Sequence, residues 1–226
     1  MSGTAAGPGA GEHPGVADLV AVMDRLRSPG GCPWDAEQTH RSLARYAVEE
    51  VHELVEAIET DDRAALREEL GDVLLQVVFH ARVAAEHPQD PFDVDDVAAG
   101  VAAKLRRRHP HVFGDAVVRD ADHVSSRWDE IKRAEKGRTS ALDGVPAGLP
   151  ALARAQAVLS RAARAGGAAE AATADVPARP GDAATDVGQR LLALVAEAQA
   201  AGVDAEAALR AAARDLEDRV RAAERA

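Results

Sequence analysis

Aromatic residues are scarce in this chain. Phe, Trp and Tyr make up 3% of its 226 residues, too few for the base-stacking platforms of single-strand nucleic-acid binders. Basic residues are outnumbered, with 27 Lys and Arg against 38 Asp and Glu and a formal net charge of −11. This balance argues against a generally basic binding surface, and no nucleic-acid partner is expected. Cysteine occurs once, as Cys32, which excludes an intrachain disulfide framework and makes a reducing cytoplasm the expected location. No run approaches the ~18 apolar residues of a membrane span, so no membrane partner is expected. The first 15 residues, dominated by Gly, Ala and Pro, lack both a positive n-region and an apolar h-region. They are expected to form a disordered tail, not a secretory leader.

What remains is a foldable composition, 46% hydrophobic and 29% charged, long enough for one ordinary domain or two small ones. Period-two strand patterns are missing, and helical periodicity runs through the chain instead. Val16, Leu19, Val20, Met23 and Leu26 share a face of a first helix. The stretch Ser28-Pro29-Gly30-Gly31-Cys32-Pro33 ends it. A second helix is predicted from about Ser42 to Glu59, with Val48, Val51, Leu54, Val55 and Ile58 inward. A third runs from about Arg63 to Glu86, burying Leu66, Leu70, Val73, Leu74, Val77, Val78 and Ala81. The short connection makes these two antiparallel neighbours. Further helices are predicted from about Val94 to Arg108, His123 to Lys136, Val187 to Ala200 and Asp204 to Ala226. The fold class is an all-α helical bundle.

Between Glu49 and Asp72 the chain is strongly acidic, holding Glu49, Glu50, Glu53, Glu56, Glu59, Asp61, Asp62, Glu68, Glu69 and Asp72 against Arg63 and Arg67 alone. Charge runs are usually solvated helical faces. The spacing supports another reading. Glu50 and Glu53 lie i,i+3 on one helix, and Glu69 and Asp72 have the same spacing on the next. Antiparallel packing can join the pairs, and an all-carboxylate set suits a hard ion, Mg²⁺ or Mn²⁺ in its place. A di-iron reading of Glu49-x-x-His52 would require a second Glu-x-x-His, and Glu69-x-x-Asp72 has no His.

Glu49-Glu50-Val51-His52-Glu53 followed by Glu69-Leu70-Gly71-Asp72 resembles the EExxE…ExxD signature of the all-α nucleoside triphosphate pyrophosphohydrolases. Four other blocks resemble the MazG branch in the right order: Gly31-Cys32-Pro33-Trp34-Asp35 with Gln38-Thr39-His40, Arg107-Arg108-His109-Pro110-His111-Val112-Phe113, Trp128-Asp129-Glu130-Ile131-Lys132, and Ala141-Leu142-Asp143-Gly144-Val145-Pro146. The resemblance implies Mg²⁺-dependent hydrolysis of nucleoside triphosphates to the monophosphate and pyrophosphate, by water attack at the α-phosphorus. It implies Glu50, Glu53, Glu69 and Asp72 as metal ligands, with Glu49 orienting a ligand or water, or sitting in an interface. Lys104 and Arg108 are implied as triphosphate contacts; alternatively these cations stabilise a helix C-terminus. Trp128 and Lys132 are implied to close over the nucleotide, the alternative for Trp128 being a core position. Trp34 reads as a packing anchor, and His109 and His111 as a structural loop rather than a zinc site. No Walker A sequence and no candidate nucleophilic Ser or Cys is apparent.

Longer MazG proteins carry two helical modules, and in this sequence the C-terminal copy reads as eroded. Asp186-Val187-Gly188-Gln189 falls where an ExxD-like element would lie but ends in Gln189, with no EExxE before it. The expected organisation is a tail over 1–15, a MazG-type module over 16–165, a Gly/Ala/Pro linker over 166–185 and a degenerate Ala-rich helical region over 186–226. The resemblance also implies a homodimer. The leading expectation is a house-cleaning enzyme of the nucleotide pool; a specialist for one damaged nucleotide and a catalytically silent helical interaction module are the alternatives.

Overall fold

The computed structural model describes residues 13–116, 140–167 and 183–225, together with Asp120, Val124, Trp128, Ile131 and Glu135. Among them there is no strand, and the architecture is all-α, as the periodicity implies. The chain divides into two compact units, residues 1–120 and 121–226.

The first unit contains α1 (Pro14–Arg27), α2 (Pro33–Glu37), α3 (His40–Glu59), α4 (Arg63–Ala84), α5 (Val94–Arg108) and α6 (Pro110–Phe113). After α1 the chain turns so tightly that the Cys32 amide donates to the Leu26 carbonyl at 2.7 Å. A Cβ on Gly31 would lie 2.2 Å from that same carbonyl oxygen, so only glycine fits there. Pro33 then opens α2, one helical turn that the turn-rich sequence conceals. Helix α3 begins two residues before the expected Ser42, because Thr39 is its cap and Ser42 closes the capping box. The Ser42 amide donates to Thr39 Oγ1 at 3.2 Å and the Thr39 amide to Ser42 Oγ at 2.9 Å. Asp61 makes the following turn with φ +55°. Asp62 caps α4 by accepting from the amides of Ala64 and Ala65 at 2.9 and 3.0 Å.

Helices α3 and α4 form the dominant helix pair, with α1 and α5 both against α4. Met23, Leu43, Val78 and Phe79 are the buried centre, with Leu19, Val20, Tyr46, Leu75, Val83 and Val94 against them. Trp34 is the anchor expected of it, edge-on to Tyr46 at 6.0 Å and to Phe79 at 6.4 Å between ring centroids. Arg82 bridges Asp24 of α1 and Glu86, each at 2.8 Å, while the buried Arg27 pairs with the same Glu86 at 2.8 Å. The Arg27 hydrogen bond, then the Arg27 and Arg82 charges, outweigh burial and hold the Glu86 carboxyl below its ordinary range.

One expectation is corrected. Val48, Val51, Ile58, Leu70, Leu74 and Val77 are periodic but not buried; each remains exposed, Val48 by 59% and Ile58 by 57%. The apolar stripes of α3 and α4 are broader than their contact with each other and with α1 uses up.

In the second unit α7 (Ala151–Ala165), α8 (Ala183–Ala200) and α9 (Ala205–Glu224) pack around Leu159, Ala162 and Val195. The Gln156 amide ties α7 to the α8–α9 turn, donating to the Val203 carbonyl at 2.7 Å and accepting from the Ala205 amide at 2.9 Å. Most of the expected helix from His123 to Lys136, and most of the expected linker over 166–185, lie outside the described residues; Val124, Trp128, Ile131 and Glu135 are helical.

Candidate metal and nucleotide site

A helical hairpin brings residues equally distant from its turn face to face. Glu50 and Asp72 are equidistant from Asp61, and so are Glu53 and Glu69. The electrostatics follow this pairing. Asp72 is the strongest charged neighbour of Glu50, and Glu53 that of Glu69.

Glu50, Glu69 and Asp72 converge, each with a carboxylate oxygen within 4.8 Å of the others, and all three are half-buried. Glu53 is not in this tight group. It is exposed and acts electrostatically on both Glu50 and Glu69. Glu49 faces solvent and contributes the weakest charge effect on Glu50. Burial and then these neighbouring carboxylates push the Glu50 and Glu69 carboxyls above their ordinary range. Glu69 Oε2 is buried with no hydrogen-bond partner. Three oxygen ligands converging on a like-charged, half-dry pocket, one with an orphan lone pair, fit a hard divalent cation.

The other expected contacts are placed less closely. Lys104 and Arg108 lie one turn apart on α5, Lys104 exposed and Arg108 half-buried. Trp128 is a half-buried helical residue of the second unit, and Lys132 lies outside the described residues. His109 and His111 have ring centroids 5.5 Å apart, and His109 Nδ1 bonds the Leu105 carbonyl at 2.8 Å. Among the described residues no metal-capable group of three includes them, and they form the short α6 corner.

The same helices also form a groove that sequence reasoning missed. It encloses about 490 Å³ between α3, α4 and α5, lined by Ala47, Val51, Val73, Val77, Phe92 and Val97, with His40, Gln76 and His80 as its polar members. Val51 and Val73 of its lining each follow an acid of the cluster in the sequence. The missed signal was Asp72, Gln76 and His80, polar residues at every fourth position of an apolar run.

The fold and site define an all-α protein whose helical hairpin carries a convergent carboxylate cluster. Comparison with known proteins then gives the family. Residues 38–113 match the MazG nucleotide pyrophosphohydrolase domain. A Streptomyces cacaoi protein, the uncharacterized 26.1 kDa protein in the blaB 3′ region, is 51% identical over 220 residues, covering 96% of this chain and 86% of that protein. A nucleoside triphosphate pyrophosphohydrolase of Escherichia coli is 48% identical over 152 residues, 66% of this chain and 57% of its own length. The protein of that name from Mycobacterium tuberculosis is 44% identical over 211 residues, 93% of this chain and 58% of its own length. The chain belongs to the MazG family. It spans somewhat over half the length of these named pyrophosphohydrolases.

Proposed function

We propose that the chain hydrolyses nucleoside triphosphates to the monophosphate and pyrophosphate in the bacterial cytoplasm, as part of nucleotide-pool housekeeping. The convergence of Glu50, Glu69 and Asp72 carries this reading. These three, joined by Glu53, would hold Mg²⁺, or Mn²⁺ in its place. Bound there, the ion would neutralise the triphosphate, polarise the phosphoryl oxygens and acidify the attacking water.

The protein's own part is to bind and orient. Glu50, Glu69 and Asp72 fix the cation position from two rigid helices. Glu53, more exposed, completes the set. Glu49 is assigned to orienting water. Lys104 and Arg108 are assigned positive charge for the triphosphate, and for Trp128 and Lys132 the nucleotide contacts are those the family resemblance implies. The MazG module is assigned to 16–165 and a non-catalytic role to 186–226, where no group of three metal-capable side chains occurs among the described residues. A homodimer would cover the exposed apolar face of α3 and α4.

Product analysis tests this. The purified chain is incubated with each common ribo- and deoxyribonucleoside triphosphate, with and without Mg²⁺. Monophosphate and pyrophosphate, formed only with metal, are expected. Diphosphate and orthophosphate would overturn the chemistry, and no turnover of any substrate would overturn the housekeeping role.

A further inference from the structure

Helix α9 is longer than its packing requires. It runs for 20 residues from Ala205 to Glu224 and fully buries none of them. Its first half rests on α7, where Glu206 accepts from the Ala153 amide at 3.4 Å. Every residue from Asp215 to Arg225 is exposed. A helical end left in solvent is expected to be polar all round, since a short helix gains its stability from packing. This one is not. Leu209, Leu216 and Val220 are 57%, 54% and 49% exposed. With Ala213 and Ala223 they recur at alternating spacings of four and three residues. That is the seam of a coiled coil, whose gaps a facing helix fills.

The charges beside the seam identify that helix. Arg210 and Glu217 lie seven residues apart on one edge of it. Consider two copies of α9 laid antiparallel, Ala213 opposite Leu216, Leu209 opposite Val220 and Ala223 opposite Glu206. Arg210 of each copy then meets Glu217 of the other, and both charge pairs attract. Other arrangements fail. Sliding one copy by a heptad sets Glu217 against Glu217, or Arg210 against Arg210. A parallel pair sets Glu206, next in the seam, against its own copy. A two-fold contact needs a surface complementary to itself, and only the first arrangement supplies one. Within one chain Arg210 approaches Glu206 at 3.7 Å and Glu217 pairs with Arg221 at 2.9 Å. These are i,i+4 pairs, too weak to hold either side chain from a better partner. We propose that α9 is a self-recognition helix. The C-terminal helices of two copies pair antiparallel along Leu209, Ala213, Leu216 and Val220, and Arg210 with Glu217 fixes the register. The contact is a second join for the homodimer, separate from the α3 and α4 face and independent of any catalytic reading. So short a seam aligns and selects partners more than it holds them.

The test mixes two full-length variants, Arg210→Glu and Glu217→Arg. Each alone sets like charges together in its homodimer, acid on acid in the first and base on base in the second. A mixed pair regains both attractive contacts. Native mass spectrometry of the equal mixture should show the mixed dimer exceeding the two homodimers together by about threefold or more. Wild type mixed with an isotope-labelled copy of itself should show only the statistical proportion. A statistical mixture of the two variants overturns the antiparallel pairing. A chain that stays monomeric in every form overturns it too, and leaves the stripe to a different partner. A second arm adds Leu216→Glu to both variants. Leu216 is exposed and unused by the fold of its own chain, so the melting curve of the dilute protein should not change, while the preference for the mixed dimer should vanish. A preference that survives a charge in the middle of the seam would mean that Arg210 and Glu217 act elsewhere, and the proposal falls.

Discussion

At the scale of single residues, the four carboxylates are costly to hold together. Like charges at helical spacing destabilise by a few tenths of a kcal/mol per pair, and the raised Glu50 and Glu69 show that strain in the metal-free protein. Glu50→Gln and Asp72→Asn should each lower Mg²⁺-dependent turnover by about a hundredfold or more. Their metal-free melting temperature should not fall, since each removes a repulsion; a lower one would make these acids structural. The pH dependence has a definite sign. A protonated carboxyl does not ligate, and Glu50 and Glu69 keep their protons to a higher pH than the ordinary 4.5. Mg²⁺ affinity should therefore weaken on acidification while the pH is still above 4.5, with proton release on binding. Calorimetry in buffers of different ionisation heat measures both, and a flat affinity down to ordinary carboxylate pH would contradict the raised values.

Among the elements, those with strong local signals were legible and those defined by packing were not. Helices α3 and α4 announce themselves through long apolar stripes, although the Thr39 cap that starts α3 was not foreseen, and the acid pairs could be placed from spacing alone. Helix α2 was hidden because Pro33 reads as a breaker, although it also fits the first turn of a helix. Helix α6 was hidden between Pro110 and Gly114, too short for periodicity to speak. The groove was missed because Val51, Val73 and Val77 were read as core, and only tertiary placement shows that they line a recess. The link between α1 and α2 carries its own test. Gly31→Ala would drive a methyl into the Leu26 carbonyl, backbone that cannot step aside. It should cost about 1–3 kcal/mol, read as a lower denaturation midpoint, and a neutral result would mean that the turn has another conformation.

For the whole molecule, the exposed stripe of Val48, Ile58, Leu70 and Leu74 is the largest departure from what the sequence leads one to expect of the fold. Periodicity tells which residues share a face and is silent on whether that face meets the same chain or another. A second copy is proposed as the cover. Sedimentation equilibrium should then give twice the 23.6 kDa of one chain, and Leu74→Glu should shift the equilibrium toward monomer. A wild-type chain that stays monomeric at all concentrations would leave the face to some other partner.

The turn at Asp61 works as an indexing pin. Because Glu50 faces Asp72 and Glu53 faces Glu69 about that single residue, the alignment of the carboxylates is encoded in their spacing from the turn and not only in the carboxylates themselves. One residue inserted within α4 between Arg63 and Glu68 would turn Glu69 and Asp72 by about 100° and shift them about 1.5 Å relative to the capped start of the helix, with every acid retained in the sequence. A relative carrying all four acids with one residue more inside the helix would thus spell the same signature with its letters out of phase.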